Sequence, residues 1–484
     1  MQRGEIPLKA RLRARLIQWA SNLRAKRARR RDKRYEMDML NGAVMPKLLS
    51  FALPLMLSSI LQLAFNAADV VVVGRFEGHA ALAAVGTPGP LINLLVNLFI
   101  GLSVGANVVV AQCYGAGDFR ETGKAVHTSM ALSVLSGVGI GIFGFLMAGT
   151  LLRMIDADPE FLPMATVYMR IYFLGMPANM IYNFGSAVLR AVGDTRRPLV
   201  FLFIAGVVNV VLNLLFVIAF HMGVSGVALA TIISQMVSAT LVVLCLIHSD
   251  GAIHLDVRRI RLDGGKVKQI ARIGLPAGLQ GILFSISNVM IQKTVNGFGT
   301  VVTAGNTTAS NLEGFIYVSM NAVYQAALTF TGQNVGANRP ARINRIARDA
   351  LIAVTGIGLA LGAVLMLFMQ QLFGIYTEDA AVKAAATIRS GIIAPTYFLC
   401  GLMDTMVGLM RGMGTSLVPM VVSVVGVCGF RIVWILVAFP MNPTLGNLIL
   451  SYPISWLATF LIHFGCFLYF KRRKYGIPHF AITD

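Results

Sequence analysis

From Pro46 to Phe470 the chain is a succession of apolar stretches broken by short polar connections. Stretches of about 20 apolar residues match the length a helix needs to cross a bilayer. Twelve are predicted: 47–73, 88–112, 124–151, 160–190, 196–220, 224–248, 268–297, 306–334, 343–372, 382–411, 417–440 and 445–470. The fourth and tenth exceed a straight span and contain Pro177 and Pro395. Kinks are expected there, because proline removes a backbone donor and crowds the preceding turn. The fold class is an all-α membrane protein with twelve transmembrane helices.

Composition sharpens this reading. Of 484 residues 56% are hydrophobic and 13% charged, with mean hydropathy +0.72, whereas a soluble domain carries about a quarter charged residues. Five scattered cysteines and seven scattered histidines form no disulfide framework, metal site or HExxH, and no Walker-type phosphate loop occurs. Gly139, Gly141 and Gly144 fit GxGxxG, but they lie inside an apolar helix with no preceding strand, where close helix packing is the better reading. An enzyme and a bound cofactor are not expected; gradient-driven work is.

Net charge is +20, and residues 1–40 hold 13 of the 41 Lys and Arg. This tail is too polar to span and lacks the apolar core of a signal peptide. Three readings stay open for residues 1–36: a basic helix on anionic lipid, a solvated tail, or residues added by an upstream start ahead of Met37 or Met45. Nucleic-acid binding ranks lower, because interleaved aromatics and a globular module are missing. Later connections alternate: Arg190, Arg196 and Arg197, then Arg258 to Lys268, then Arg339 to Arg348, then Lys471 to Lys474, against acidic partners such as Asp158 and Glu160. The positive-inside rule then puts both termini in the cytoplasm of a plasma-membrane protein.

Sliding the chain by about 221 residues shows an internal repeat. Leu53-Pro54 falls on Leu275-Pro276, Gln112 with Gly115-Ala116 on Gln333 with Gly336-Ala337, and Arg190, Gly193 and Pro198 on Arg411, Gly414 and Pro419. Two homologous six-helix lobes follow, related by an axis along the membrane normal. The expected layout is a basic tail (1–45), an N-terminal lobe (46–250), a linker (251–267), a C-terminal lobe (268–470) and a second basic tail (471–484).

Acids inside spans are costly and mark function by default. Asp69, Glu313 and Asp404 qualify. Asn66 sits one turn before Asp69, and Asn209, Asn213 and Thr231 fall at matching depth in the fifth and sixth spans, so these polar groups share the outer half of the first lobe. A carboxylate with amide carbonyls and a hydroxyl can replace the water shell of a hard cation, or the carboxylate alone can take a proton. Asp404 occupies the repeat position of Asn183, as a substrate or gate group or as a solvated acid near Arg411. Arg431, in the eleventh span, needs a partner; Glu313 is the first choice by depth and Asp404 the second.

The motifs AADVVVVGRF, AQCYGAGD, LRAVGDTRRP, NVVLNLLFV, GVALATIISQ, GQNVGAN and LMRGMGT, in this order and duplicated, resemble the multidrug and toxic compound extrusion transporters from about Met45 to Tyr469. The resemblance implies a two-lobed exporter of amphipathic, often cationic, organic compounds in exchange for sodium ions or protons, working as a monomer. It places the first-lobe cation site on Asp69, Asn209 and Thr231. The chain departs at Asn213, where many relatives carry a second aspartate, which favours protons over sodium. It also lacks the seventh-helix glutamate of some relatives, leaving Asn288 and Gln292 as the polar groups there. The alternative is a lipid-precursor flippase of the same superfamily, which would need a more charged cavity. A membrane prenyltransferase would need DDxxD motifs, and none is present.

Overall fold

The structure, a computed structural model, describes residues 35–155 and 158–476. The surface-helix reading of the basic tail falls on residues that mostly lie outside this range. In chain order the described helices are α1 (Val44–Phe76), α2 (Gly78–Gly86), α3 (Gly89–Gly115), α4 (Phe119–Met154), α5 (Leu162–Leu174), α6 (Met176–Ala191), α7 (Arg196–Leu214) and α8 (Gly223–Ile247). The second half gives α9 (Gly264–Asn296), α10 (Thr300–Gly336), α11 (Arg342–Leu367), α12 (Met369–Gly374), α13 (Ala380–Thr396), α14 (Phe398–Gly412), α15 (Leu417–Ser423), α16 (Phe430–Met441) and α17 (Leu445–Tyr475). Short π-helical turns, Leu215–Ala219 and Val424–Gly429, extend α7 and join α15 to α16.

Among the described residues nine helices are long and apolar enough to cross a membrane, and the pair α13–α14, bent by 47°, makes ten. The remaining two crossings are α5–α6, broken at Gly175, and α10, whose 37 residues carry more polar side chains. Both breaks fall where the sequence predicts kinks: Pro177 starts α6, and Pro395 ends α13. Twelve crossings in two lobes result. Helix ends overrun the predicted spans: α9 begins at Gly264, inside the expected linker, and α17 continues to Tyr475.

The ends of the crossings near residues 44, 191–196, 264, 336–342 and 412–417 gather the Lys and Arg and are called here the basic end; the opposite end is the far end. The lobes meet at the basic end across a two-fold seam built from repeat-related residues. Gln112 donates to the Gly412 carbonyl (2.9 Å) and Gln333 to the Ala191 carbonyl (2.7 Å). A Cβ on Gly115 would stand 2.1 Å from the Gln333 carbonyl oxygen, and one on Gly336 1.9 Å from that of Gln112. Glycine is therefore required at both positions. Near the axis the Thr329 hydroxyl donates to Asn107 Oδ1 (3.1 Å).

The lobes also exchange parts of their first helices. Leu48, Phe51 and Leu55 of α1 are buried in the core of the second half, with the Phe51 ring set edge-on to Phe330 (5.8 Å), while Val72 and Val73 join the first-half core. Symmetrically, Ile270 and Ile273 of α9 lie in the first-half core, and Ile291 and Val295 in the second. The lobes in space thus differ from the sequence halves 46–250 and 268–470. Gly101 and Gly105 against Gly274 and Gly278 let α3 and α9 cross backbone to backbone; a Cβ on Gly101 would stand 2.2 Å from the Gly278 nitrogen.

Part of the expected tail is packed structure. Met39 is fully buried and its carbonyl accepts from Asn334 (3.1 Å), Glu36 accepts from the Tyr114 hydroxyl (3.0 Å), and Arg339 and Arg342 bond the carbonyls of Leu40 and Gly42. The expected linker is packed too: Ile253 and Leu255 are buried, and the Asp256 N–H donates to His127 Nε2.

Candidate functional site

The first-lobe cluster is set by the packing of α1 on α7. The Phe65 ring lies where a Cβ on Gly206 would stand, 1.8 Å from its nearest ring carbon, so only glycine admits it. One turn farther along α1 this register brings Asp69 onto Asn213. The Asn213 amide donates to the Asp69 carboxylate and, at 3.4 Å, to Asn209 Oδ1. Asn209 and Asn213 are buried, and Asn213 Oδ1 has no partner among the described residues. Buried polar groups are normally satisfied, so this oxygen is an open acceptor beside the carboxylate. The π turn Leu215–Ala219 begins two residues after Asn213, the kind of local break often found at functional sites.

Thr231 does not join the chain: its hydroxyl donates to the Val227 carbonyl of its own helix (3.0 Å). Asn66 is exposed and makes no hydrogen bond with the described residues. Sequence reasoning missed Tyr168 and Tyr172 of α5, which stack at 6.1 Å and lie within electrostatic reach of Asp69. Two tyrosines one turn apart in a span were the available signal.

The second lobe corrects one expectation outright. Glu313 pairs with Arg389, not Arg431: the Arg389 guanidinium donates to Oε2 (Nη2 at 2.8 Å, Nε at 3.0 Å) and to Oε1 (Nε at 3.3 Å), and the Ser390 hydroxyl donates to Oε1 at 3.2 Å. Arg389 lies nine residues from the start of α13, so depth alone never distinguished it from Arg431. Arg389 also donates to Asn306, which bonds Gln292, so Gln292 is tied into this network. Arg431 forms no ion pair with the described residues. It donates to Ser455 (3.3 Å), and its guanidinium lies 3.9 Å from the Tyr452 ring centroid and 5.7 Å from that of Trp456. The aromatic faces take the place of the carboxylate partner.

The other candidates stay separate. Asn183 bonds Asn179 within α6, and Asn288 is exposed on α9. Asp404 is half-buried, with no hydrogen bond or ion pair to the described residues, and feels Arg411 and Tyr317 through space. Arg411 is held by the Tyr324 hydroxyl (2.7 Å) and Gln280 (2.8 Å). No group of three or more His, Cys, Asp or Glu suited to a metal ion occurs among the described residues.

The repeat, the seam and the site positions can now be set beside known proteins. The family model MatE matches residues 54–215 and again 276–437, two copies 222 residues apart covering most of the chain. The chain belongs to the MatE family. MATE proteins similar to it include the probable multidrug resistance proteins YoeA and YpnP of Bacillus subtilis. YoeA is 26% identical, with 88% of this chain and 93% of that protein covered; YpnP is 28% identical, with 80% and 87% covered. Among solved structures, a multidrug resistance MATE transporter in an outward-facing conformation superposes with TM-score 0.82 over 90% of this chain and 97% of that one, at 23% identity. The MATE fold accounts for both lobes, and the protein is a multi-pass membrane protein of a transporter family rather than of an enzyme family.

Proposed function

We infer that this MATE protein is a secondary antiporter that exports amphipathic, chiefly cationic, organic compounds in exchange for protons, with both termini in the cytoplasm of the plasma membrane. The observation that carries the reading is the Asp69–Asn213–Asn209 chain in the far half of the first lobe. Asn213 turns an N–H toward the carboxylate and brings no second negative charge. Proton exchange at Asp69 suits that arrangement better than a sodium site, which needs oxygen donors on every side. The Asn213 contact ties proton exchange at Asp69 to the packing of α1 on α7, so a conformation that separates the two helices changes that exchange.

Among the described residues the side-chain hydrogen bonds between the lobes all fall at the basic end. With the basic end cytoplasmic, the seam closes the cytoplasmic side between the lobes in this state. Alternating access then consists of unmaking the seam and closing the far ends. Asp404, half-buried and without a hydrogen-bond or ion-pair partner among the described residues, is the acid left to meet a cationic substrate in the second lobe.

Proteoliposome transport of a fluorescent cationic dye under separately imposed proton and sodium gradients tests the reading. Dye movement follows the proton gradient, and Asp69→Asn abolishes it while dye binding persists; Asn213→Asp shifts the dependence toward sodium. Transport by Asp69→Asn at the unaltered rate overturns the role of Asp69. Dye movement without either gradient favours the flippase alternative.

A further inference from the structure

A cleft of about 980 Å³ opens at the basic end between the start of α9, the turn before α15 and the end of α17. Lys268, Arg272, Arg473 and Lys474 line it, and among the described residues none of them forms an ion pair. Arg272 and Lys474 are close enough to repel one another. Lys474 is held by the Met413 carbonyl (2.6 Å) and Arg473 by the Tyr469 hydroxyl (2.9 Å), neither of which cancels charge. Toward the bilayer the wall turns apolar, with Leu275 exposed and Phe470 half-buried. Four cations above an apolar wall at the membrane boundary match an anionic headgroup with acyl chains below it.

The internal repeat supplies an independent comparison. In the first half the equivalent turn, at Gly193, is covered by the chain itself. Met37 packs on Gly193, the Tyr35 ring lies 5.1 Å under the Arg197 guanidinium, and Asp38 bridges to Lys47 (3.7 Å) at the start of α1. Gly414 has the same left-handed backbone (φ 79° against 97° at Gly193), so the two turns are alike. Among the described residues no counterpart of Tyr35–Asp38 covers the second one, because the segment before α9 is drawn away onto α4 and α8 through Asp256, Leu255 and Asp263. Among the described residues one turn has its cover and its acid, and the other has four cations around a cleft.

We propose that this cleft is a binding site for one anionic phospholipid, its phosphate held by Lys268, Arg272 and Arg473 and its chains lying along Leu275 and Phe470. The site lies at the basic end, where the start of α9, packed in the first-half core through Ile270 and Ile273, faces the end of α17, packed in the second through Phe467.

Native mass spectrometry of the full chain in mild detergent, titrated with phosphatidylglycerol or phosphatidylcholine, tests this. The unaltered protein retains one phosphatidylglycerol at least tenfold more tightly than phosphatidylcholine. Lys268→Gln, Arg272→Gln and Arg473→Gln together lower that affinity by about fivefold per charge. Arg272→Lys with Arg473→Lys keeps it, which separates lost charge from lost fold. Arg258→Gln, Arg259→Gln and Arg261→Gln remove three basic-end charges outside the cleft and leave it unchanged. Equal retention of both lipids, or equal loss in the control triple variant, overturns the proposal. So does displacement of the lipid by sn-glycerol 3-phosphate at matched concentration, which would mark a simple anion site. A tenfold gain in lipid affinity after truncation at Gly476 overturns it as well, by making residues 477–484 the native occupant.

Discussion

Adding one methyl group at the seam should drive the basic end open. In Gly336→Ala the new Cβ stands 1.9 Å from the Gln112 carbonyl oxygen, and ordinary contact begins near 3.4 Å, so the backbones must part by about 1.5 Å. Helix backbone gives little, and overpacking of this kind costs about 1–3 kcal/mol. A shift of that size also breaks the Gln112 and Gln333 bonds at 2.9 and 2.7 Å, worth about 1 kcal/mol together in a membrane. Both losses fall on the closed state alone, so the closed-to-open ratio drops by about 30-fold to about 1,000-fold. A reporter cysteine at Thr329, beside the axis, reads this out after Cys113, Cys245, Cys400, Cys428 and Cys466 are replaced. A membrane-impermeant maleimide applied from the basic-end side should label Thr329→Cys at least tenfold faster in the Gly336→Ala background. Gly123→Ala, where a Cβ meets nothing within 4 Å, is the control and should leave the rate alone. Unaltered labelling in a normally abundant Gly336→Ala protein would refute the seam as the barrier.

Glu313→Ala should destabilise the detergent-solubilised protein by about 3–5 kcal/mol, because it strands a buried arginine; thermal unfolding of Glu313→Ala beside the double variant Glu313→Leu, Arg389→Met, which should recover most of the loss, checks this. Gly206→Ala should push Phe65 and α1 away from α7, separating Asp69 from Asn213, and should reduce gradient-driven transport at least tenfold with little change in abundance. Deleting residues 2–34 should leave transport intact, whereas deleting residues 2–43 removes the fully buried Met39 and the partners of Asn334, Arg339 and Arg342, lowering stability by about 2–5 kcal/mol; expression and thermal unfolding of the two truncations separate these outcomes.

The number of crossings, the two kinks and the duplication were legible because each rests on a local signal: apolar length, proline, or a recurring motif. The contact of Asp69 with Asn213 was approachable by depth counting, since both lie on helices of known direction. Thr231 shows the limit, because equal depth does not say which way a hydroxyl turns. Arg431 shows it more sharply. Counting assigned Glu313 to the wrong arginine, since Arg389 and Arg431 lie at similar depth and only rotation about the helix axes distinguishes them. The buried Met39 was hidden by charge: thirteen cations in residues 1–40 made residues 1–45 read as one basic tail, while a methionine past those cations is core.

The traded halves of α1 and α9 bear on how such a protein can come into being. A single repeat folded alone would leave Leu48, Phe51 and Leu55 with no core to enter, because their place is in the other copy. A half-length ancestor of this architecture would have been an obligate dimer with swapped first helices, and tandem duplication in one gene would have fused that dimer. Fusion frees the copies to diverge, as the covered turn at Gly193 and the open one at Gly414 have done, yet it never lets them part. Two copies by sequence, the halves share their cores through α1 and α9.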